Sequence, residues 1–148
     1  VTSPFEIVVA SADLESRRRL TEILVKIGID PLCASTIKEC QELFEQRQIG
    51  LIFCEPRLAD GTFEELLQRY PRSGPRPRVV ITSRTADWDE FMRATRLGAF
   101  DVICVPCYPT DVEWMVIEAS REERNRARTH HLHRTGGAME AARAATAS

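Results

Sequence analysis

Short apolar runs alternate with segments of helical period through the first 120 residues. Residues 5–10, Phe-Glu-Ile-Val-Val-Ala, are rich in β-branched side chains and predict a buried strand. Leu20, Ile23, Leu24 and Ile27 then recur at spacings of three and four, marking the inner face of a helix that stops at Gly28. Residues 29–34 form a second extended run. Thr36-x-x-Glu39 is a capping box that opens a helix with Ile37, Cys40, Leu43 and Phe44 on its inner face. Residues 50–54 are apolar throughout, as a strand covered on both faces is. Thr62-x-x-Glu65 caps the next helix, whose inward residues are Phe63, Leu66, Leu67 and Tyr70, and the proline-rich stretch 71–77 is loop. Residues 78–82 predict a fourth strand, followed by a helix with Phe91, Ala94, Thr95 and Gly98. Residues 99–105 predict a fifth strand. Thr110-x-x-Glu113 caps a last helix carrying Val112, Met115, Val116 and Ala119.

Strict alternation with crossovers of helix length means an α/β domain: a parallel sheet with helices on both faces. In such a sheet a site belongs outside the carboxyl ends of the strands. Those ends are Ala10-Ser11, Cys54-Glu55, Thr82-Ser83 and Cys104-Val105-Pro106.

Composition narrows the class without naming an activity. A length of 148 residues suits one domain, and 43% hydrophobic with 28% charged residues is ordinary for a soluble globular protein. No run reaches the roughly 18 apolar residues of a membrane span, and the first residues lack the pattern of a secretory signal. Five cysteines, an odd number, fit a reducing compartment better than a disulfide scaffold. A cytoplasmic location is therefore expected. Charge is uneven: residues 1–120 hold 14 Lys+Arg against 19 Asp+Glu, whereas residues 121–148 hold six Arg, three Glu and all three histidines. Residues 123–148, basic and then Ala-rich, read as a helix extension fraying into a disordered tail.

Three stretches resemble the receiver domain of bacterial two-component response regulators, over roughly residues 4–122. Glu55-Pro-Arg-Leu-Ala-Asp-Gly61 is similar to the loop after strand three, whose first residue is normally the phosphoaccepting Asp. Val79-Val-Ile-Thr-Ser83 is similar to strand four, and Leu97-Gly-Ala-Phe-Asp-Val-Ile-Cys-Val-Pro106 to strand five. The resemblance implies a three-layer, flavodoxin-like receiver architecture with strand order 2-1-3-4-5, and a Val105-Pro106 bond that is cis.

The departures from that family define the candidate site. Where two acidic residues hold Mg²⁺ at the end of strand one, this chain has Ala10 and Ser11, a poor set for a cation that prefers carboxylate and water oxygens. Asp13 lies two residues further on, where it is expected to cap the first helix. The acceptor position is Glu55, the phosphate-neutralising Lys aligns with Val105, and the switch aromatic aligns with Val102. Only Thr82, flanked by Ser83, survives. Conventional aspartyl phosphorylation is not expected, since phosphoryl transfer depends on positioning and charge neutralisation, and Mg²⁺ binding is expected to be lost or weak. Thr82 either serves the site or simply bonds nearby backbone. Glu55 admits three readings: a permanent imitation of the phosphorylated form with Thr82 donating to it, a structural ion pair with Arg57, or a solvated carboxylate.

Cys104-Val-Pro-Cys107 is a C-x-x-C pair and the basis of a thiol-redox alternative. Cys104 reads as the last inner residue of its strand, Cys54 as pointing into the core, and Cys33 and Cys40 as lying on other elements. His130, His131 and His133 form a weak metal-binding possibility in the tail. The face of helix four, strand five and helix five, which serves pairing and docking in the family, carries Trp88, Asp89, Arg93, Arg96, Asp101, Asp111, Glu113 and Trp114. Two tryptophans among mixed charges suit an interface; the alternative is that they cover the ends of the core. Arg121, Arg124 and Arg128 make a basic stripe, yet nucleic-acid binding is not expected from an acidic domain without a reading helix. The expected function is that of a non-enzymatic pseudo-receiver: a phosphorylation-independent interaction module. Its partners would be a sensor kinase, an output protein or a second copy. A phosphorylatable atypical receiver and a redox sensor using Cys104 and Cys107 are the alternatives.

Overall fold

Alternating side chains in the central strands separate two apolar layers, and this alternation fixes where every helix sits. A computed structural model describes residues 3–146 apart from 72 and 86, with side chains described through residue 129. The strands are β1 (Glu6–Ala10), β2 (Leu32–Ala34), β3 (Ile49–Cys54), β4 (Arg57–Leu58), β5 (Gly61–Thr62), β6 (Arg78–Ser83) and β7 (Asp101–Cys104). The helices are α1 (Leu14–Lys26), α2 (Ile37–Gln46), α3 (Phe63–Gln68), α4 (Trp88–Arg96) and α5 (Pro109–Thr146). Five strands form one parallel sheet in the order β2-β1-β3-β6-β7, while β4 and β5 form a small antiparallel hairpin beside it. Counted without the hairpin, the order is the expected 2-1-3-4-5.

Val8, Ala10, Ile52, Cys54, Val79 and Ile81 face one layer, with Ile37 and Cys40 of α2, Leu66 and Leu67 of α3 and Ala94 of α4. Ile7, Val9, Leu51, Phe53 and Val80 face the other, with Leu20 and Leu24 of α1 and Val112, Val116 and Ala119 of α5. Burying each of the larger of these side chains stabilises the fold by about 1.5–3 kcal/mol. Every residue of β3 and β6 is buried, so the middle of the sheet is the rigid platform from which the strand ends project.

Helix starts are set largely by local capping. Thr36 Oγ1 accepts from the Glu39 N–H at 3.0 Å and Thr62 Oγ1 from the Glu65 N–H at 3.4 Å, as their spacing predicts. Asp60, from the loop between β4 and β5, adds a second cap on α2 by accepting from the N–H groups of Ile37 (2.7 Å) and Lys38 (3.3 Å). The last helix differs from expectation. It begins at Pro109, not after a Thr110 cap. Proline needs no N–H partner in the first helical position, and the Asp111 carboxylate accepts from the Tyr108 N–H at 3.1 Å.

Two strands are shorter than expected. Ile29 closes α1 through a bond from its N–H to Leu24 O, leaving only Leu32–Ala34 in β2. Ala99 closes α4 in the same way onto Ala94 O, with Gly98 at φ +94°, so β7 begins at Asp101. Helix α5 continues to Thr146 and so includes most of the basic extension. His130, His131 and His133 lie outside the residues whose side chains are described, and residues 147–148 outside the described residues altogether.

Candidate functional site

Three parallel strands, β1, β3 and β6, end together, and the loops that leave them border a cleft of roughly 730 Å³. Ala10, Ser11, Asp13, Glu55, Thr82, Arg84, Val105 and Pro106 all line it. Of the sequence-predicted positions, Ala10, Ser11, Glu55, Thr82, Val105 and Pro106 are thus brought together, Arg57 and Val102 do not line the cleft, and Ser83 is buried next to Thr82 on the strand.

What the side chains do there differs from a metal-binding carboxylate cluster. Ala10 presents a methyl group. Ser11 is buried, and its hydroxyl is turned back on its own loop: it donates to Asp13 O at 2.9 Å and accepts from the Asp13 N–H at 3.1 Å. Asp13 caps α1 as expected, accepting from the Glu15 N–H, but its carboxylate is also taken by the Ser16 hydroxyl at 2.7 Å and by Arg84 at 3.2 Å. The Ser16 hydrogen bond, with smaller contributions from the Glu15 N–H and Arg84, holds the Asp13 carboxyl below its ordinary range. Among the described residues no group of three His, Cys, Asp or Glu side chains is arranged to hold a metal ion. The Mg²⁺ that the receiver fold implies does not fit this set, because among the described residues only Glu55 offers an uncommitted carboxylate to the cleft.

Glu55 is half-buried and its N–H bonds Ala10 O at 3.0 Å; its carboxylate has neither an ion pair nor a hydrogen bond among the described residues. The Arg57 ion pair, one of the three readings of Glu55, is not formed among the described residues. Arg57 lies in the β4–β5 hairpin opposite Thr62, where alternation buries Leu58 and leaves Arg57 exposed. Nor does Thr82 donate to Glu55, as the imitation reading has it: Thr82 Oγ1 donates to Cys54 O at 3.4 Å, the local backbone bond. Ser83 Oγ contacts Thr85 Oγ1 at 3.2 Å. Val102 at the switch position is half-buried and packs against the α2–α4 layer, and Val105-Pro106 is cis as expected. The cation that sequence reasoning missed is Arg84. It follows Thr82-Ser83 by one residue, and this place just past a strand end was the available signal.

The cysteines are all free. Cys54 is fully buried as expected. Cys104 is exposed, contrary to the expectation of an inner residue. It shares the face of Val102 but sits at the very end of an edge strand, past the cover of the helices. Cys107 is half-buried, and that burial pushes its thiol up.

Trp88 (68% exposed) and Trp114 (53%) do not cover the core ends. Trp88 stacks on Phe91, with centroids 5.3 Å apart, at the start of α4. Arg93 pairs with Glu64 at 3.7 Å, Asp101 accepts from the Val102 N–H at 2.7 Å, and Arg96 completes the α4 side of the face. Tyr108, 76% exposed, adds an aromatic residue that the sequence pattern did not single out. Among the described residues no helix is long and apolar enough to cross a membrane.

Comparison with known proteins agrees with this architecture. No protein-family model matches the chain. It is 30% identical over 90 residues to the response regulator protein PilR of Pseudomonas aeruginosa, a match covering 60% of this chain and 20% of that protein. The match therefore spans about a fifth of that relative's length. Among solved structures it is similar to a CheY-like response regulator receiver domain protein from Methanospirillum hungatei, with TM-score 0.73, 21% identity, and coverage of 84% of this chain and 99% of that one. It is also similar to the beryllofluoride-activated NtrC4 receiver domain dimer, with TM-score 0.71, 18% identity, and coverage of 79% and 97%. The fold is that of a CheY-like receiver domain, and the sequence likeness is to a response regulator.

Proposed function

We propose that this chain is a receiver module of two-component signalling that works through protein contacts without aspartyl phosphorylation and without catalysis. The observation that carries this reading is at the end of β1. Ala10 has no oxygen, the Ser11 hydroxyl is spent on its own loop, and Asp13 is clasped by Ser16 and Arg84. A phosphoryl group arriving at Glu55 would meet no metal and, at Val105, no ammonium. The Thr82 hydroxyl bonds Cys54 O and, among the described residues, makes no hydrogen bond to the Glu55 side chain.

Binding is supported by the exposed tryptophans of the α4–β7–α5 face. Two large aromatics among mixed charges supply anchors and register, and one structural relative with the same fold is a receiver-domain dimer. A second copy, a sensor kinase or an output protein is the partner class. The redox alternative is less well supported, because burial raises the Cys107 thiol away from the reactive thiolate.

A Mg²⁺ titration followed by amide NMR tests the reading. No saturable shift at Ala10, Ser11 or Glu55 is expected; a saturable shift confined to those amides overturns it.

A further inference from the structure

The cleft at the strand ends combines an unneutralised carboxylate with apolar walls, and we propose that it binds a small organic cation: an ammonium head on Glu55 with an apolar body along α1. The inference rests on the metal-free reading of the same site.

Three observations carry it. The first is charge. Glu55 is half-buried and its carboxylate is uncommitted among the described residues. The cations near it are committed elsewhere: Arg84 to Asp13 and Ser16, and Arg19 to Glu15 at 3.4 Å. Lys26 also lines the cleft, but at the opposite end of α1, about 18 Å along the helix axis from Leu14. A carboxylate partly removed from water and lacking a partner favours a bound positive charge.

The second is hydrogen-bond polarity. The Thr82 hydroxyl spends its proton on Cys54 O and keeps its lone pairs. Together with the Glu55 carboxylate this places two acceptors side by side in the lining of the cleft. An ammonium, with three donors and no acceptor, matches them. A neutral alcohol or an anion does not.

The third is shape. Val9, Leu20, Ile23, Phe53, Val105 and Pro106 supply apolar walls, and a volume of roughly 730 Å³ falls in the range of small-molecule sites. A hydrated Mg²⁺ would waste those walls, whereas an organic cation uses them.

The test uses the full chain with three probes of equal length: hexylammonium, 1-hexanol and hexanoate. Each is titrated against wild type and Glu55→Gln by amide NMR. Saturable shifts at Ala10, Ser11, Glu55 and Thr82 with hexylammonium are expected, about tenfold tighter than with hexanol and weakened about tenfold by Glu55→Gln. Glu55→Gln is isosteric and loses no partner, so unchanged amides elsewhere report an intact fold. Absence of saturable binding, equal binding of hexanol, or undiminished binding to Glu55→Gln overturns the inference. Displacement of hexylammonium by millimolar Mg²⁺ would instead overturn the metal-free reading beneath it.

Discussion

Arg84 and Asp13 lie 71 positions apart in sequence and are joined by a 3.2 Å ion pair that ties the loop after β6 to the first turn of α1. The same guanidinium nitrogen donates to Ser16 Oγ at 2.6 Å, so one side chain closes a three-residue clasp on the rim of the cleft. The clasp takes the first carboxylate that follows Ala10 and Ser11 in the sequence.

The clasp has a titration signature. Asp13 is held below its ordinary carboxyl range chiefly by the Ser16 hydroxyl, and less by the Glu15 N–H and Arg84. Ser16→Ala should therefore raise its pKa more than Arg84→Ala, as read by an NMR pH titration of the carboxyl carbon. Because the folded value lies below the unfolded one, the clasp's contribution to stability is present above the unfolded pKa and is lost as pH falls through the folded value. A larger shift from Arg84→Ala than from Ser16→Ala would reverse this assignment.

Asp60 holds two N–H groups at the start of α2 from outside the helix. Asp60→Ala should cost about 1 kcal/mol in urea unfolding, the typical value for a lost cap, with an unchanged m-value. The Thr36 cap remains, so the helix should persist by circular dichroism. A change indistinguishable from zero would show that Thr36 alone suffices.

Gly50 is required by contact and not by backbone angle. A Cβ at this position would run into the Phe5 ring that lies over β3. Gly50→Ala should destabilise by about 1–3 kcal/mol, the range for overpacking. Adding Phe5→Ala should remove most of that increment in a double-mutant cycle. Fully additive losses would mean that the cost of Gly50→Ala does not come from the Phe5 ring.

Trp114 is more than half exposed, so its truncation should leave thermal stability within about 0.5 kcal/mol of wild type. If the α4–β7–α5 face is the contact surface, Trp114→Ala should weaken self-association or partner binding about tenfold or more in sedimentation experiments. A large stability loss with association unchanged would make the tryptophan a packing residue.

The fold was legible in the sequence because its signals are local or periodic. The β-branched runs, the face of α1 and the Thr36 and Thr62 caps each act within four residues, and all appear where the pattern puts them. Thr110 misled because Pro109 next to it is equally good at starting a helix. Arg57 misled because a two-residue hairpin strand is too short for alternation to show in sequence. Cys104 misled because helix cover ends before the edge strand does. The Arg84–Asp13 clasp left no periodic trace, since it joins loops brought together only by the sheet order. Which family positions had been replaced was readable from residue identity; what the replacements bond to was not.

The most direct measurement is intact mass of the full chain after incubation with a small-molecule phosphodonor and Mg²⁺, analysed without acid or heat. With Ala10, Ser11 and Val105 where the carboxylates and ammonium would be, the mass should stay unchanged. A phosphate-sized gain, lost on Glu55→Gln, would contradict a phosphorylation-independent receiver.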